Sequence, residues 1–299
     1  MTQIKANGIT IEYDSIGDGP ETVLLIMGLG AQMTRWRASL REKIAQRGFR
    51  VVWFDNRDVG LSTHFDGAIA PDLAEIVAAR MRGEKPDVPY TLHDMASDAA
   101  GLLDALNIPR AHIVGASMGG MIAQLVAADH ADHTLSLTSI MSNTGNPELP
   151  PATPEAMAVL TRRAPSPHED EAGFLDHSVA SQKVTGSPAY PFDEAELRVQ
   201  LLADAKRAYY PAGFTRQMAA ITATGDRRAL LKTITAPTLV VHGAEDPLVP
   251  LPGGEDTALN IPGAELIVLP GVGHDLPPAL EDTLADAIAR NAHRARATA

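Results

Sequence analysis

The chain has 299 residues, 45% of them hydrophobic and 21% charged, and 25 Lys and Arg stand against 37 Asp and Glu for a formal net charge of -12. That length and apolar share suffice for a large packed interior, while the negative charge repels phosphate backbones and anionic membrane surfaces and excludes nucleic acid as a natural partner. The absence of Cys excludes disulfides, thiolate chemistry and Cys-ligated metals.

The opening MTQIKANGITIEYDS lacks the charged head and apolar core of a secretory leader, so a cytoplasmic protein is expected. Residues 3–14 alternate around Asn7-Gly8, a dipeptide suited to positive φ, and predict an antiparallel hairpin. Residues 22–27 form a continuous apolar run, the pattern of a strand buried on both faces. A Gly-containing loop follows, then a helix over 36–46 closed by Gly48, and a second buried strand over 50–54. Residues 64–90 read as a loop excursion. The spacing then predicts a helix over 92–106, a strand over 111–115, a helix over 118–130 and a strand over 135–141. The most apolar segment, 111–128, carries His112, Ser117, Gln124 and several glycines, so it reads as strand, turn and buried helix and not as a membrane span.

Beyond residue 142 the rhythm stops. Prolines cluster at 147, 150, 151, 154, 165 and 167, and amphipathic helical stretches run to about residue 231 with no strand pattern between them. Strands resume over 237–242 and 265–269, and a helix over 280–292 closes the chain. Strands alternating with helices predict an α/β fold: a mostly parallel twisted sheet, right-handed crossovers and helices on both faces. Residues 1–141 and 232–299 would form its core, with 142–231 an inserted helical cap.

The chemistry is read from the ends of these strands. Gly115-Ala116-Ser117-Met118-Gly119 joins a strand to a helix, the setting of a nucleophile elbow. Glycines two residues before and after the serine fit a turn so tight that a Cβ there would strike the neighbouring strand or helix. A serine nucleophile needs a base that takes and returns a proton near neutral pH. Of the ten His, His274 stands in a glycine-rich loop after the strand at 265–269. His112 and His242 fall inside strands and read as buried and bonded to backbone; the remaining seven read as solvated. The imidazole needs a carboxylate to orient it, and Asp246, in the turn after the strand at 237–242, occupies the right strand end. Glu245 is the competing position, and Asp275 is too near His274 in sequence to lie behind its ring. Two amides would hold an oxyanion: Met118 N–H after the nucleophile, and Leu29 N–H from the loop after the first parallel strand, with Gly28 or Gly30 shaping that loop. Met27 and Gly28 are placed at the substrate pocket. In Asp55-Asn56-Arg57-Asp58, Asp55 and Arg57 are expected to satisfy backbone groups and each other. Core filling is the default reading of Met27, Met33, Met118, Met121, Met141 and Met157, although several lie near the proposed cleft, where they could make it apolar and adaptable.

GASMGG at 115–120, FDNRDVGLS at 54–62, PTLVVHGAEDPLVP at 237–250 and LPGVGHDLP at 269–277 together resemble the α/β-hydrolase superfamily over nearly the whole chain. Within it the sequence is most similar to the small esterases related to aclacinomycin methylesterase, where the oxyanion strand ends in Met-Gly, here Met27-Gly28, in place of the commoner His-Gly. The resemblance implies hydrolysis of carboxylic esters through an acyl-enzyme, with no metal or organic cofactor, and the apolar, Met-containing approach to the cleft suggests small or moderately apolar, uncharged substrates. Other activities on the same scaffold are a cofactor-free perhydrolase, a lactonase and a C–C bond hydrolase; outside enzymes, the alternative is a hydrolase-like binding module.

Overall fold

A computed structural model describes residues 1–69 and 72–297. Strands β1 (Thr2–Ala6) and β2 (Ile9–Ile16) pair antiparallel across Asn7 and Gly8, whose φ values of 47° and 78° are those of a two-residue hairpin turn. The remaining strands are β3 (Glu21–Ile26), β4 (Phe49–Phe54), β5 (Ala111–Ala116), β6 (Thr134–Ile140), β7 (Thr238–Gly243) and β8 (Glu265–Leu269). They complete one eight-stranded sheet of order β1-β2-β4-β3-β5-β6-β7-β8, in which β2 meets β4 antiparallel and every later pair is parallel.

The chain leaves β3 to form β4 on one side and returns to lay β5 on the other. That reversal opens a crevice at the carboxyl ends of β3 and β5, where open α/β sheets bind their ligands. Residues 23–26 are fully buried on both faces, as an uninterrupted apolar run requires. Leu24 and Ile26 pack toward helices α3 (Leu92–Ala105) and α4 (Met118–Asp129), whereas Val23 and Leu25 face the cluster of Trp36, α1 (Ala38–Gln46) and α11 (Glu281–Ala297). Alternation within one strand thus divides the interior into two layers.

Three elements differ from the sequence expectation. Helix α1 begins at Ala38, after a 3-10 turn at Met33–Arg35, because the fully buried Trp36 anchors the loop and not the helix. The excursion at 64–90 contains α2 (Leu73–Met81), whose first turn is capped by Asp72 accepting from Ala74 N–H. A helix not foreseen, α10 (Pro252–Asn260), bridges β7 and β8; Gly253 and Gly254 weaken its pattern, and a Cβ at Gly254 would overlap His242. Between β6 and β7 run α5 (Pro154–Thr161), α6 (Glu171–Thr185), α7 (Glu194–Arg207), α8 (Pro211–Thr224) and the short α9 (Arg228–Leu231). Val179, Leu197 and Leu201 give α6 and α7 a small core of their own. No helix among the described residues is long and apolar enough to cross a membrane.

Candidate active site

Ser117 sits at the junction of β5 and α4 with φ 57° and ψ -122°, a conformation that an L-residue holds only when its surroundings impose it. The surroundings are backbone. A Cβ on Gly115 would overlap Gly119 O, and one on Gly119 would overlap Ile26 O, so helix and strand close on the turn from both sides. Ser117 N–H donates to Ile140 O at 2.9 Å, tying the elbow to β6. A Cβ on Gly28 would stand 3.1 Å from Ser117 Cβ and 3.2 Å from Ala116 O, so the loop after β3 packs closely against the serine.

The imidazole of His274 lies between Ser117 and Asp246. Its Nε2 is 2.9 Å from Ser117 Oγ and its Nδ1 is 2.7 Å from Asp246 Oδ2, which assigns the Nδ1 proton to the carboxylate side. Asp246 is buried, and its Oδ1 accepts from Leu248 N–H at 2.9 Å and Val249 N–H at 2.8 Å, which fixes the carboxylate behind the ring. Glu245 is exposed and accepts from Gly271 N–H at 2.6 Å, away from the ring. His242 is buried behind the acid, donates to Val249 O at 2.7 Å and stands 3.8 Å from Asp246 Oδ2. Burial pushes its pKa down, which keeps it neutral. His112, also buried, bonds the side chains of Ser136 and Glu21 and not backbone.

Helix α6 ends against the loop that carries His274. His274 N–H donates to Thr185 O at 2.7 Å and Gly273 N–H to Ser187 Oγ at 3.0 Å; the Ser187 hydroxyl donates in turn to Asp275, which also accepts from Gln182 Nε2 at 2.9 Å. Burial raises the pKa of Asp275.

Leu29 and Met118 both line the cavity with Ser117, and neither backbone N–H donates to another group among the described residues. The loop holding Leu29 is fixed around them: Met27 O accepts from Asn56 Nδ2 at 2.9 Å, and Gly30 N–H, at φ 63°, donates to Gln217 Oε1 at 2.8 Å.

The expected pairing of Asp55 with Arg57 does not occur. Each finds its partner on a distant helix instead, Arg57 on α3 and Asp55 on α7. Arg57 forks onto Asp98 at 2.6 and 2.7 Å. Asp55 accepts from Met33 N–H at 2.8 Å, Leu61 N–H at 3.0 Å and Arg207 Nη1 at 2.7 Å. Asp58 accepts a two-bond fork from Arg216 at 2.8 Å, with Phe65 N–H at 2.8 Å and Tyr90 Oη at 2.7 Å. Burial alone would raise the Asp58 pKa; Arg216 and the other donors outweigh it and hold the carboxyl below its ordinary value. The partners Arg207 and Arg216 come from α7 and α8, and periodicity gave no sign of either contact.

The cavity above Ser117 encloses about 620 Å³. Met27, Met118, Met121 and Met141 line it from the sheet side, and Met157, Phe214 and Met218 from α5 and α8. Met33 packs in the core instead. Two arginines reach its lining and both are occupied: Arg35 by Asp204 at 2.8 Å and Arg37 by Glu196 at 2.6 Å.

Residues 21–277 match a family model described as the alpha/beta hydrolase fold. The chain is 28% identical to rhodomycin D methylesterase DauP of Streptomyces sp. (strain C5) over 313 residues, covering 99% of this chain and 98% of the relative. Among solved structures it is similar to a meta-cleavage product hydrolase from Pseudomonas fluorescens IP01, with TM-score 0.76, 20% identity and coverage of 99% and 98% of the two chains. A thermophilic esterase from Thermogutta terrifontis superposes with TM-score 0.71 at 22% identity, covering 99% of each chain.

Proposed function

The chain belongs to the alpha/beta hydrolase fold family, and from that premise we propose that it is a carboxylic ester hydrolase whose acyl-enzyme forms on Ser117. The observation that carries the reading is the unbroken chain from Ser117 Oγ to His274 Nε2 at 2.9 Å and from His274 Nδ1 to Asp246 Oδ2 at 2.7 Å. Ser117 Oγ attacks the ester carbonyl carbon as His274 takes its proton; Asp246 orients the ring and stabilises the imidazolium. The carbonyl oxygen, now negative, accepts from the Leu29 and Met118 amides, whose protons need not be withdrawn from another acceptor first. His274 then protonates the departing alcohol. Water, deprotonated by the same nitrogen, attacks the acyl carbon and releases the acid.

The cavity supports an uncharged, moderately apolar substrate. Its wall is rich in methionine, which adapts to irregular shapes. Its two arginines are already neutralised by Asp204 and Glu196, so a carboxylate-bearing substrate would meet no uncommitted cation among the described residues of the wall.

Labelling with a fluorophosphonate, followed by turnover of p-nitrophenyl acyl esters of increasing length, bulky methyl esters and lactones, tests the reading. Wild-type protein takes the label and hydrolyses the uncharged esters; Ser117→Ala loses both while keeping its circular dichroism. Turnover retained in Ser117→Ala, or an unlabelled wild-type protein, refutes it.

A further inference from the structure

Gln217 is fully buried on α8, in the apolar stripe formed by Phe214, Met218 and Ile221. A carboxamide there is costly unless both its halves are paired. They are paired outside the insertion. Oε1 accepts from Gly30 N–H at 2.8 Å, and Nε2 donates to Arg57 O at 2.8 Å, so one side chain joins the loop after β3 to the loop after β4.

Gly30 directly follows Leu29. Because each peptide unit is planar, fixing Gly30 N–H fixes the plane on the carboxyl side of Leu29, and the bond from Asn56 Nδ2 to Met27 O at 2.9 Å fixes the segment on the amino side. Phe214, one helical turn before Gln217, closes the remaining space: a Cβ on Gly30 would stand 2.8 Å from Phe214 Cδ2. Leu29 is left with a fixed backbone and an amide proton that has no acceptor among the described residues. We propose that Gln217 is a positioning residue, supplied by the insertion, that holds Leu29 N–H in place for the oxyanion by bridging Gly30 N–H and Arg57 C=O. This rests on the role proposed above for Leu29.

Gln217→Met keeps the length of the side chain and removes both hydrogen bonds. Turnover of a p-nitrophenyl ester is measured well below the melting temperature and normalised to serine titrated with a fluorophosphonate. Binding of an aryl trifluoromethyl ketone, which Ser117 converts to a tetrahedral oxyanion, is measured beside it. The expected result is a fall in kcat of about 10–100-fold, part of the ~10²–10³ that loss of a whole donor costs, with KM held within about threefold and the ketone Ki rising by the same factor as kcat falls. Gln217→Asn, whose amide is too short to reach both partners, serves where the Met variant does not fold and is expected to show the same split. An unchanged kcat per titrated serine, even with a lowered melting temperature, overturns the proposal, as does a fall in kcat with no change in ketone affinity. If wild-type protein binds neither probe, the hydrolase reading itself fails and takes the proposal with it, a result visible before any Gln217 variant is made.

Discussion

The elbow at 115–119 and the helical segment between β6 and β7 face the same cavity, but they are held by different physics. The elbow is a matter of backbone packing: Gly115 against Gly119 O, Gly119 against Ile26 O, and Ser117 N–H on Ile140 O. The helices are held to the core by side chains from distant parts of the sequence: Arg207 on Asp55, Arg216 on Asp58 and Gln217 on Gly30 and Arg57. Backbone exclusion tolerates no substitution at its contact points, whereas side-chain anchors can be exchanged in pairs. The sheet side should therefore carry the reacting groups, and the helical side should govern stability and choice of substrate, with Gln217 the one anchor that reaches the chemistry, through Gly30 and Leu29.

The largest effects are expected on the sheet side. Asp246→Asn leaves the shape of the acid loop intact but favours the wrong tautomer of His274, and kcat should fall by about 10⁴. Glu245→Gln, which removes the charge and keeps an oxygen to accept from Gly271 N–H, should leave kcat within about twofold, as surface substitutions usually do. Stopped-flow turnover of an aryl ester separates the two; a larger loss from the Glu245 change would move the acid by one residue. Gly119→Ala should abolish turnover altogether, because its Cβ meets main-chain atoms of β3 that cannot rotate away.

This division also explains what could be read from the sequence. Ser117, Asp246 and His274 stand at the ends of strands whose apolar runs are unmistakable, so strand order alone brings them together. The hairpin at Asn7-Gly8 and the strands flanking the elbow are legible for the same reason, since local periodicity and turn chemistry decide them. Helix α10 escaped because two adjacent glycines mask its pattern, although one of them is required by His242. The anchors escaped because each depends on contacts more than 150 positions apart, Arg207 with Asp55 and Arg216 with Asp58. One signal was present: Gln217 interrupts an apolar stripe, and a polar residue in such a stripe has to find a buried partner. Arg57, with Asp55 two residues away, misled in the opposite sense, because each is paired by a residue from a distant helix, Asp98 for Arg57 and Arg207 for Asp55.

On the helical side the largest expected effect is on stability. Arg216 is 5% exposed and Asp58 is 0% exposed, so Arg216→Met leaves a carboxylate buried with its fork removed, at a cost of about 3–5 kcal/mol. Adding Asp58→Asn, which tolerates the positive φ, should recover more than half of that loss. Urea titration of the two variants reads both numbers. A single-variant loss below about 1 kcal/mol would place this anchor with weak surface pairs and remove the contrast.

Acid probes the same anchor more gently. The Asp58 carboxyl is held below its ordinary value of 3.8, so the unfolded chain binds its proton first on acidification. The contribution is complete above the unfolded value and is lost as pH falls through the lower folded one. Below about pH 4 the urea midpoint of wild-type protein should therefore drop more steeply than that of the Asp58→Asn, Arg216→Met pair, and parallel curves would show that this carboxylate carries none of the linkage.

The smallest effect should be the most selective. Met157 on α5 lines the cavity yet is 43% exposed, so Met157→Ala removes a flexible wall segment without opening a buried void. Stability should change by less than about 1 kcal/mol, since little packing is lost. A substrate whose acyl or alcohol group reaches α5 should lose up to about tenfold in kcat/KM, the range for small changes of apolar contact, while a short acetyl ester should be unaffected. The ratio of long-chain to short-chain kcat/KM isolates that change from any general loss of active enzyme. Equal losses on both substrates would mean that α5 acts on the chemistry through Ser117 or His274, and the separation between a reacting sheet side and a selecting helical side would fail at the point where the two regions meet.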